Sequence, residues 1–453
     1  MRGGGIDIGR ALLDAALSSP LYKAVLVPQA QRTMVETAER NGVPWRDALD
    51  WIKARGPWRL SEDDSAVAIP EYYRRPFHAY EQGNLCWDAA WEGEIASRAV
   101  GARNFPEFGE RGEEAFRGAF DEALASLGAE CPAGGSLVDL GCGSGISTRR
   151  LAAAHPQAGS VVGVDLSPHF LAVGRRLLEL EEEERRRWVQ PLEPDGRISL
   201  LHADAAATGL AACSVDVVQL SLVMHELPPA AAGDIFAEAH RILRPGGQLW
   251  VTEMDFATEG FSKLRSNPLL FSLIRSTEPY LDAYADWQTA EGVPGGGPAA
   301  ALAEVGFGRI RLAAATGRHF ALVCSRPPNG CEPDRAVDDR RAATAKPDTH
   351  LKTWEAKAAA GARAPPPTMT GAEGDEGRGE EEEEEDYDED GIGMMNRPSR
   401  KIAQLKAEMA EAEASGDLDR IMTLMGTLLA LEGGYEGEGS GRGAAHPEGR
   451  CAD

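Results

Sequence analysis

The sequence predicts an α/β protein with a doubly wound, seven-stranded, mostly parallel sheet, a terminal antiparallel hairpin and a helical N-terminal layer. Between residues 136 and 325, short β-branched runs alternate with helical segments, which is the pattern of a parallel sheet. The last two runs are joined only by Ala314 to His319. A parallel crossover needs a dozen or more residues, so these two runs should form a hairpin. Before residue 130, apolar residues recur at helical spacing instead.

The N-terminal layer, residues 1–130, is predicted from its apolar stripes. Trp87, Trp91 and Ile95 recur at intervals of four residues, and Phe116 begins a second stripe. Such spacing places apolar side chains on one face of a helix. We expect this layer to close over the sheet edge as a substrate lid.

The α/β domain is predicted over residues 131–326. Several of its runs are apolar nearly throughout, as expected for strands that helices cover on both faces. The predicted strands are Leu137–Leu140, Val161–Leu166, Ile198–His202, Val215–Leu222, Gln248–Glu253, Arg309–Ala313 and Phe320–Cys324.

The rest of the 453-residue chain has a different composition. Within residues 327–392, the stretch from Glu373 to Asp390 contains thirteen acidic residues and one arginine. This stretch alone carries about half of the chain's net charge of −25. A segment this polar buries too little apolar surface to offset its ordering entropy, so we predict a disordered acidic linker. Residues 393–434 regain apolar stripes and predict a helical hairpin, which docks on its own domain or on a protein partner. Residues 435–453 are predicted to be a disordered tail.

Composition excludes several functional classes. The chain has no basic stripe to bind a phosphate backbone, which argues against nucleic acid as substrate. It has no run of roughly 18 uncharged apolar residues, which argues against a membrane span. Its seven cysteines include no C-x-x-C pair, so neither a disulfide framework nor a structural zinc site is expected, and no metal site is predicted.

The most informative motif is a glycine-rich loop after the first predicted strand. Gly141, Gly143 and Gly145 alternate with other residues and lead into a helix. Glycine permits a ligand to approach the backbone closely, because a β-carbon would collide with it. A dinucleotide fingerprint has the spacing G-x-G-x-x-G, whereas position 146 here is isoleucine. The loop therefore predicts a nucleoside-type cofactor site and disfavours a dehydrogenase; the alternative is a turn with a purely structural role.

Acidic residues end the next two predicted strands. Asp165 ends the second, twenty positions after Gly145, where a carboxylate can accept hydrogen bonds from both hydroxyls of a ribose. Asp204 follows the third and could accept from an adenine amino group. Ser167-Pro168 should cap and open the helix that follows.

Two further motifs complete the set. His225-Glu226-Leu227-Pro228 follows the fourth strand, and a helix ends at Arg244-Pro245-Gly246-Gly247 before the fifth. These motifs, taken in their order along residues 136–325, resemble those of class I S-adenosylmethionine-dependent methyltransferases of the type 11/25 kind. The segments Pro76–Tyr80, Gly83–Trp87 and Ser272–Tyr280 resemble a poorly characterised group of these enzymes from plants, algae and cyanobacteria.

The resemblance implies a Rossmann-like fold, S-adenosylmethionine as cofactor, and a set of binding positions. The glycine loop would lie under the methionine part of the cofactor, with Asp139 near its amino group. Asp165 matches the ribose-binding acid, and Asp204 with the Ala205 amide matches the adenine contact. The implied cofactor-binding residues are Asp139, Gly141, Gly143, Gly145, Asp165, Leu166, Asp204 and Ala205.

The implied activity is methyl transfer to a small-molecule acceptor. His225 is the first candidate for a general base, because it follows a strand at the carboxyl edge of the sheet. His78 and Tyr80 are the next candidates, as lid or acceptor-site residues. Capping or core packing is the alternative for these side chains, and a catalytically silent, cofactor-binding scaffold is the alternative for the whole protein. The narrower resemblance favours a chloroplast, yet no transit peptide is apparent, so cytoplasm and chloroplast both stay open.

Overall fold

A computed structural model describes the chain over residues 31–32, 34–61, 67–185, 195–266, 271, 274–275, 277–290, 296–328, 337–338 and 408. The chain divides into two compact units, residues 1–363 and residues 364–453. Most of the predicted linker and hairpin and all of the predicted tail lie outside the described residues. None of the helices that the structure describes is long and apolar enough to cross a bilayer.

The sheet has the predicted architecture. Its strands stand in the order β3-β2-β1-β4-β5-β7-β6-β8. Strands β1 to β5 pair in parallel, whereas β7 is antiparallel to both β5 and β6, which confirms the terminal hairpin. The strands are β1 (Ser136–Leu140), β2 (Ser160–Asp165), β3 (Ile198–His202), β4 (Val215–Ser221), β5 (Leu243–Met254), β6 (Gly308–Thr316), β7 (His319–Ser325) and β8 (Val337–Asp338).

Two details of the sheet were not predicted. The eighth strand pairs in parallel with β6 over two residues, which is too short to show any alternation in sequence. Strand β5 begins at Leu243 rather than at Gln248. Leu243 pairs with Val215, and the register then shifts so that Gln248 pairs with Val217. The Pro-Gly-Gly segment therefore forms an irregularity within the strand and does not precede it.

Helices lie on both faces of the sheet and in the N-terminal layer. Residues 34–40 are helical as well. The named helices are α1 (Trp45–Lys53), α2 (Trp87–Asn104), α3 (Gly112–Ser126), α4 (Ile146–Ala154), α5 (Pro168–Glu179), α6 (Glu182–Arg185), α7 (Pro229–Ile242), α8 (Glu259–Ser266), α9 (Leu281–Gln288) and α10 (Gly297–Val305).

The core is built from the two faces of the sheet. On one face, α7, α9 and α10 pack against alternate strand residues such as Val138 and Val218. On the other face, Phe116 and Phe120 of α3 pack against Leu137 and its neighbours. Side chains on a strand alternate between faces, so both faces are apolar. Helix α3 of the N-terminal layer thus covers a face of the sheet, while the segment that follows residue 70 reaches its edge.

Candidate active site

The glycine loop follows β1 and is fastened to β2. The amides of Gly141 and Cys142 donate to the Val164 carbonyl oxygen, at 2.8 and 3.1 Å. Gly141, Gly143 and Gly145 have φ of 77°, 54° and 89°, in the left-handed region that glycine adopts without a steric penalty. A β-carbon on Gly141 would lie 2.6 Å from Val223 Cγ2, whereas one on Gly143 would meet no atom within 4 Å. The loop therefore presents an open face at Gly143.

Asp165 lies directly beside this open face. Its Oδ2 accepts from the Gly143 amide and its Oδ1 from the Ser167 amide, both at 2.8 Å. Burial raises the pKa of Asp165, and the two backbone hydrogen bonds oppose that rise. Each carboxylate oxygen has a second lone pair, so the side chain can still accept two hydroxyl hydrogens from a ligand. Its place between the loop and helix α5 suits the ribose role that the sequence predicts.

The carboxylate of Asp139 is buried and hydrogen-bonded to other side chains of the protein. It is 1% exposed, and its Oδ2 accepts from the hydroxyls of Ser147 and Thr148, both at 2.7 Å. Its Oδ1 accepts from Gln219 Nε2 at 3.2 Å. Burial raises the pKa of Asp139, while these hydrogen bonds oppose the rise. The carboxylate fastens the first turn of α4 to the sheet, and its contact with a cofactor amino group stays a prediction.

Asp204 stands at the same edge, beyond the end of β3. His202 pairs with Asp165 across β2 and β3, and the Ala203 amide donates to the Asp165 carbonyl oxygen. Asp204 Oδ1 accepts from the Ala206 amide at 2.8 Å, which shapes the turn around Ala205. Leu166 is 7% exposed. All eight predicted cofactor positions thus lie at the carboxyl ends of three adjacent strands, and their contacts with a ligand stay predictions.

Residues 70–86 of the N-terminal layer, which we call the cover segment, lie over this edge. The His78 amide donates to the Thr277 carbonyl oxygen at 2.8 Å, and Ser167 Oγ donates to the Asn84 carbonyl oxygen at 2.5 Å. His78 and Ala79 have φ of 48° and 71°. Two successive non-glycine residues in the left-handed region store strain, which persists only where surrounding contacts hold it. Such strain is common at functional sites.

His225 is held by a buried carboxylate on the next strand. Its Nδ1 lies 2.8 Å from Glu253 Oε1, and Glu253 is completely buried. Glu253 also accepts from the backbone amides of His225 and Met254. Burial alone would lower the pKa of His225, but the carboxylate of Glu253, followed by those of Glu278 and Glu226, raises it to about 10. His225 is therefore an imidazolium at neutral pH.

Two further acidic residues surround the histidines. His78 Nε2 lies 3.3 Å from Glu278 Oε1, and this carboxylate raises the pKa of His78 although desolvation opposes it. Glu226 follows His225 directly and faces His78, His225, Glu278 and Asp165. Burial raises its pKa to about 7, against the opposing effect of the two histidines. The structure thus brings both predicted catalytic histidines into one cluster with three glutamates.

Tyr80 lies on the cover segment, and its predicted role as a lid or acceptor-site residue stays a prediction. Its hydroxyl donates to Glu92 Oε2 at 2.5 Å, so it ties the cover segment to α2. Tyr73, which the sequence did not single out, faces both Asp165 and Glu226, and burial raises its pKa well above the usual value. Glu278 lies in the segment Ser272–Tyr280 that carries the narrower resemblance, but no motif marks Tyr73 or Glu253 as a site residue, because each reaches the site through contacts between distant segments.

The residues at the loop fit S-adenosylmethionine. A β-carbon would intrude on the open face at Gly143, a position whose backbone also favours glycine. Asp165 lies beside the loop and keeps lone pairs that a ribose hydroxyl can use, and a buried carboxylate also suits a cationic ligand. The half-buried Tyr73 adds a hydroxyl that the charge of the same carboxylate influences. These features are what a nucleoside with an attached cationic centre needs.

A cavity of about 670 Å³ lies at the opposite, amino-terminal edge of the sheet, beside Cys131, His155, Asp216 and Arg244. Asp216 there accepts from the Ser136 amide at the start of β1. Ligands of open α/β sheets bind outside the carboxyl ends of the strands. The cavity is therefore separate from the site built by the glycine loop.

Comparison with known proteins finds a family match over part of the chain. Residues 138–251 match the family of methyltransferase domains. An uncharacterized methyltransferase of Emericella nidulans is 32% identical over 26% of this chain and 41% of its own length. An arsenite methyltransferase of Aquipseudomonas alcaligenes is 31% identical over 30% and 38%, respectively, and a demethylmenaquinone methyltransferase of Shouchella clausii is 30% identical over 26% and 44%. The chain thus spans less than half the length of each of these relatives.

Among solved structures, phosphoethanolamine N-methyltransferase 2 of Haemonchus contortus with bound S-adenosyl-L-methionine is 17% identical. The similarity covers 53% of this chain and 60% of that one, with a TM-score of 0.34. The strand order of the sheet itself carries the assignment of fold. The methyltransferase domain and the fit of the loop assign S-adenosylmethionine as the cofactor.

Proposed function

We propose that this chain transfers a methyl group from S-adenosylmethionine to a small-molecule acceptor at the carboxyl edge of the sheet. The observation that carries the proposal is the carboxylate of Asp165, hydrogen-bonded to the Gly143 amide beside the open face of the loop. A sulfonium supplies an activated methyl group when the cofactor is bound. The task of the chain is then to orient the acceptor and to exclude water.

The residues of the site divide this task. Asp165 and the glycine loop hold the nucleoside end, and Asp139 keeps the loop and α4 in register through Ser147 and Thr148. The cover segment screens the edge from water and carries His78 toward Glu278. His225 stands on the turn after β4, the strand next to β1, and would face an acceptor bound there.

The test is isothermal titration of the full chain with S-adenosylmethionine and S-adenosylhomocysteine. We expect micromolar binding, about −8 kcal/mol, and roughly 10- to 100-fold weaker binding for Asp165→Asn, which loses a charged hydrogen-bond acceptor. Asp121→Asn is the matched control, since Asp121 pairs with Arg150 on the outer side of α3. Absence of binding at millimolar concentration, or equal affinity in Asp165→Asn, contradicts the proposal.

A further inference from the structure

We propose that the acceptor is a hydroxyl compound, to whose oxygen His225 donates a hydrogen bond while Glu226 takes its proton. This inference rests on the proposed function, because it concerns the acceptor half of the same site. Both residues lie on one 3₁₀ turn, Met224–Glu226, directly after β4. The turn stands at the carboxyl edge of the sheet, next to the loop that receives the cofactor.

The orientation of the His225 side chain is fixed by Glu253, on the core side of the imidazole. Nδ1 is bound to Glu253, and Glu253 accepts from two backbone amides as well. In the part of the chain that the structure describes, Nε2 makes no hydrogen bond, and 10% of the side chain is exposed. Because the imidazole keeps its proton on each nitrogen when charged, Nε2 is a hydrogen-bond donor directed away from the core. It is placed to donate to an oxygen of a bound molecule.

Glu226 differs from the other two glutamates of the cluster. Glu253 is paired with His225 and Glu278 with His78, whereas the carboxylate of Glu226 makes no ion pair or hydrogen bond to any residue that the structure describes. Burial brings its pKa to about 7, so it exchanges a proton readily near neutral pH. A carboxylate in this state is suited to act as a general base.

A further polar atom in the cluster lacks a partner. Glu278 Oε2 is buried and, among the described residues, makes no hydrogen bond, while Oε1 faces His78. A buried acceptor without a partner costs free energy of folding. It can receive a second O–H or N–H group of the acceptor molecule, which would help to orient that molecule.

Methyl transfer to a hydroxyl releases one proton and one thioether. The acceptor O–H bond breaks and its proton goes to Glu226, while the oxygen forms a bond to the methyl carbon. The S–CH3 bond breaks, and its electron pair stays on the sulfur. The imidazolium of His225 keeps its proton throughout and stabilises the negative charge that develops on the oxygen. An amine acceptor fits less well, because its single lone pair must be free to attack the methyl carbon, whereas the imidazolium N–H would donate a hydrogen bond to that lone pair.

The experiment uses the full chain saturated with S-adenosylhomocysteine and two probes of one shape, 4-nitrophenol and 4-nitroaniline. The absorption of 4-nitrophenol also reports its ionisation. We expect 4-nitrophenol to bind about tenfold or more tightly than 4-nitroaniline, since hydrogen bonds to charged groups exceed neutral ones. Its pKa should fall when bound, because the imidazolium stabilises the phenolate.

Variants separate the two roles. Glu226→Gln should tighten phenolate binding, because it removes a negative charge beside the bound oxygen. The double variant His225→Gln/Glu253→Gln avoids leaving Glu253 buried and unpaired, and it should abolish the preference for 4-nitrophenol. Glu304→Gln, at an exposed position of α10, is the matched control and should change neither result.

The outcomes distinguish the inference from the proposed function. If S-adenosylhomocysteine itself does not bind, both fail. If it binds but the two probes bind equally, or neither binds at millimolar concentration, the inference alone is overturned. It is also overturned if Glu226→Gln leaves phenolate binding unchanged.

Discussion

Nδ1 of His225 lies 2.8 Å from Oε1 of Glu253, a carboxylate with no exposure to solvent. The two residues are 28 positions apart in the chain and meet because β4 and β5 are parallel neighbours. The pair determines both the direction and the charge of the imidazole. The orientation and charge of His225 therefore depend on a residue outside any recognisable motif.

Replacing Glu253 by glutamine should return the pKa of His225 from about 10 toward its ordinary value. The neutral amide still accepts a hydrogen bond but no longer stabilises the imidazolium. The wild-type pair stabilises the fold fully below the unfolded pKa of about 6.5, and this stabilisation is lost as pH rises through 10. NMR titration of the histidine Cε1 protons measures the shift, with His240 on α7 as internal control. An unchanged His225 titration contradicts the ion pair.

Asp139→Ala should cost stability, whereas Asp165→Asn should chiefly cost cofactor affinity. Asp139 accepts from Ser147, Thr148 and Gln219 in the interior, so its removal leaves buried donors unsatisfied, at about 1–3 kcal/mol. Urea unfolding measures this free energy. Asp121→Ala is the control, because Asp121 forms an ion pair with Arg150 near the surface. Its free energy of unfolding should fall by no more than about 1 kcal/mol. Wild-type stability in Asp139→Ala would show that the three donors find other partners.

Gly174→Ala should displace helix α5 from the glycine loop. A β-carbon there would lie 2.6 Å from the Ser144 carbonyl oxygen and 2.8 Å from Leu200 Cδ1, and overpacking of this kind typically costs about 1–3 kcal/mol. Binding of S-adenosylhomocysteine should weaken together with stability. Gly233→Ala on α7 meets no atom within 4 Å and should stabilise the fold by about 0.5–1 kcal/mol. Similar results for the two variants would refute the predicted contact.

Acid should destabilise the protein in part through His319. Burial, followed by the nearby cations, lowers the pKa of this residue to about 3, and Nδ1 lies 2.8 Å from Thr316 Oγ1. The unfolded chain takes up a proton below pH about 6.5 while the folded one does not, so stability falls by about 1.4 kcal/mol per pH unit from there toward pH 3. His319→Asn should remove this part of the slope in urea unfolding at several pH values. His155→Asn, at the other edge of the sheet, should leave most of it in place.

Local patterns predicted the parts of the fold that local chemistry determines. Asp165 ends its strand as expected, and Ser167 caps α5 by accepting from the Phe170 amide. The length of the link before His319 was sufficient to predict the hairpin, because too few residues remain for a crossover.

The contacts that surround His225 and His78 could not be predicted in the same way. Tyr280 donates to the Tyr72 carbonyl oxygen across 208 residues of sequence, and such a contact has no local signature. The sequence also could not show that Asp139 has three internal donors. An acid at the end of a strand has the same pattern whether it faces a ligand or the interior.

The position of β7 has a consequence for synthesis of the protein on the ribosome. This strand comes last in the hairpin, yet it pairs with β5 along the length from Gln248 to Met254. Until residue 325 has been translated and has left the exit tunnel, β5 has an open edge that includes the apolar residues Leu249 and Val251. An exposed apolar edge recruits other chains. A chain truncated before residue 325 would therefore aggregate. Chaperones that act on nascent chains should be needed most between the synthesis of β5 and that of β7.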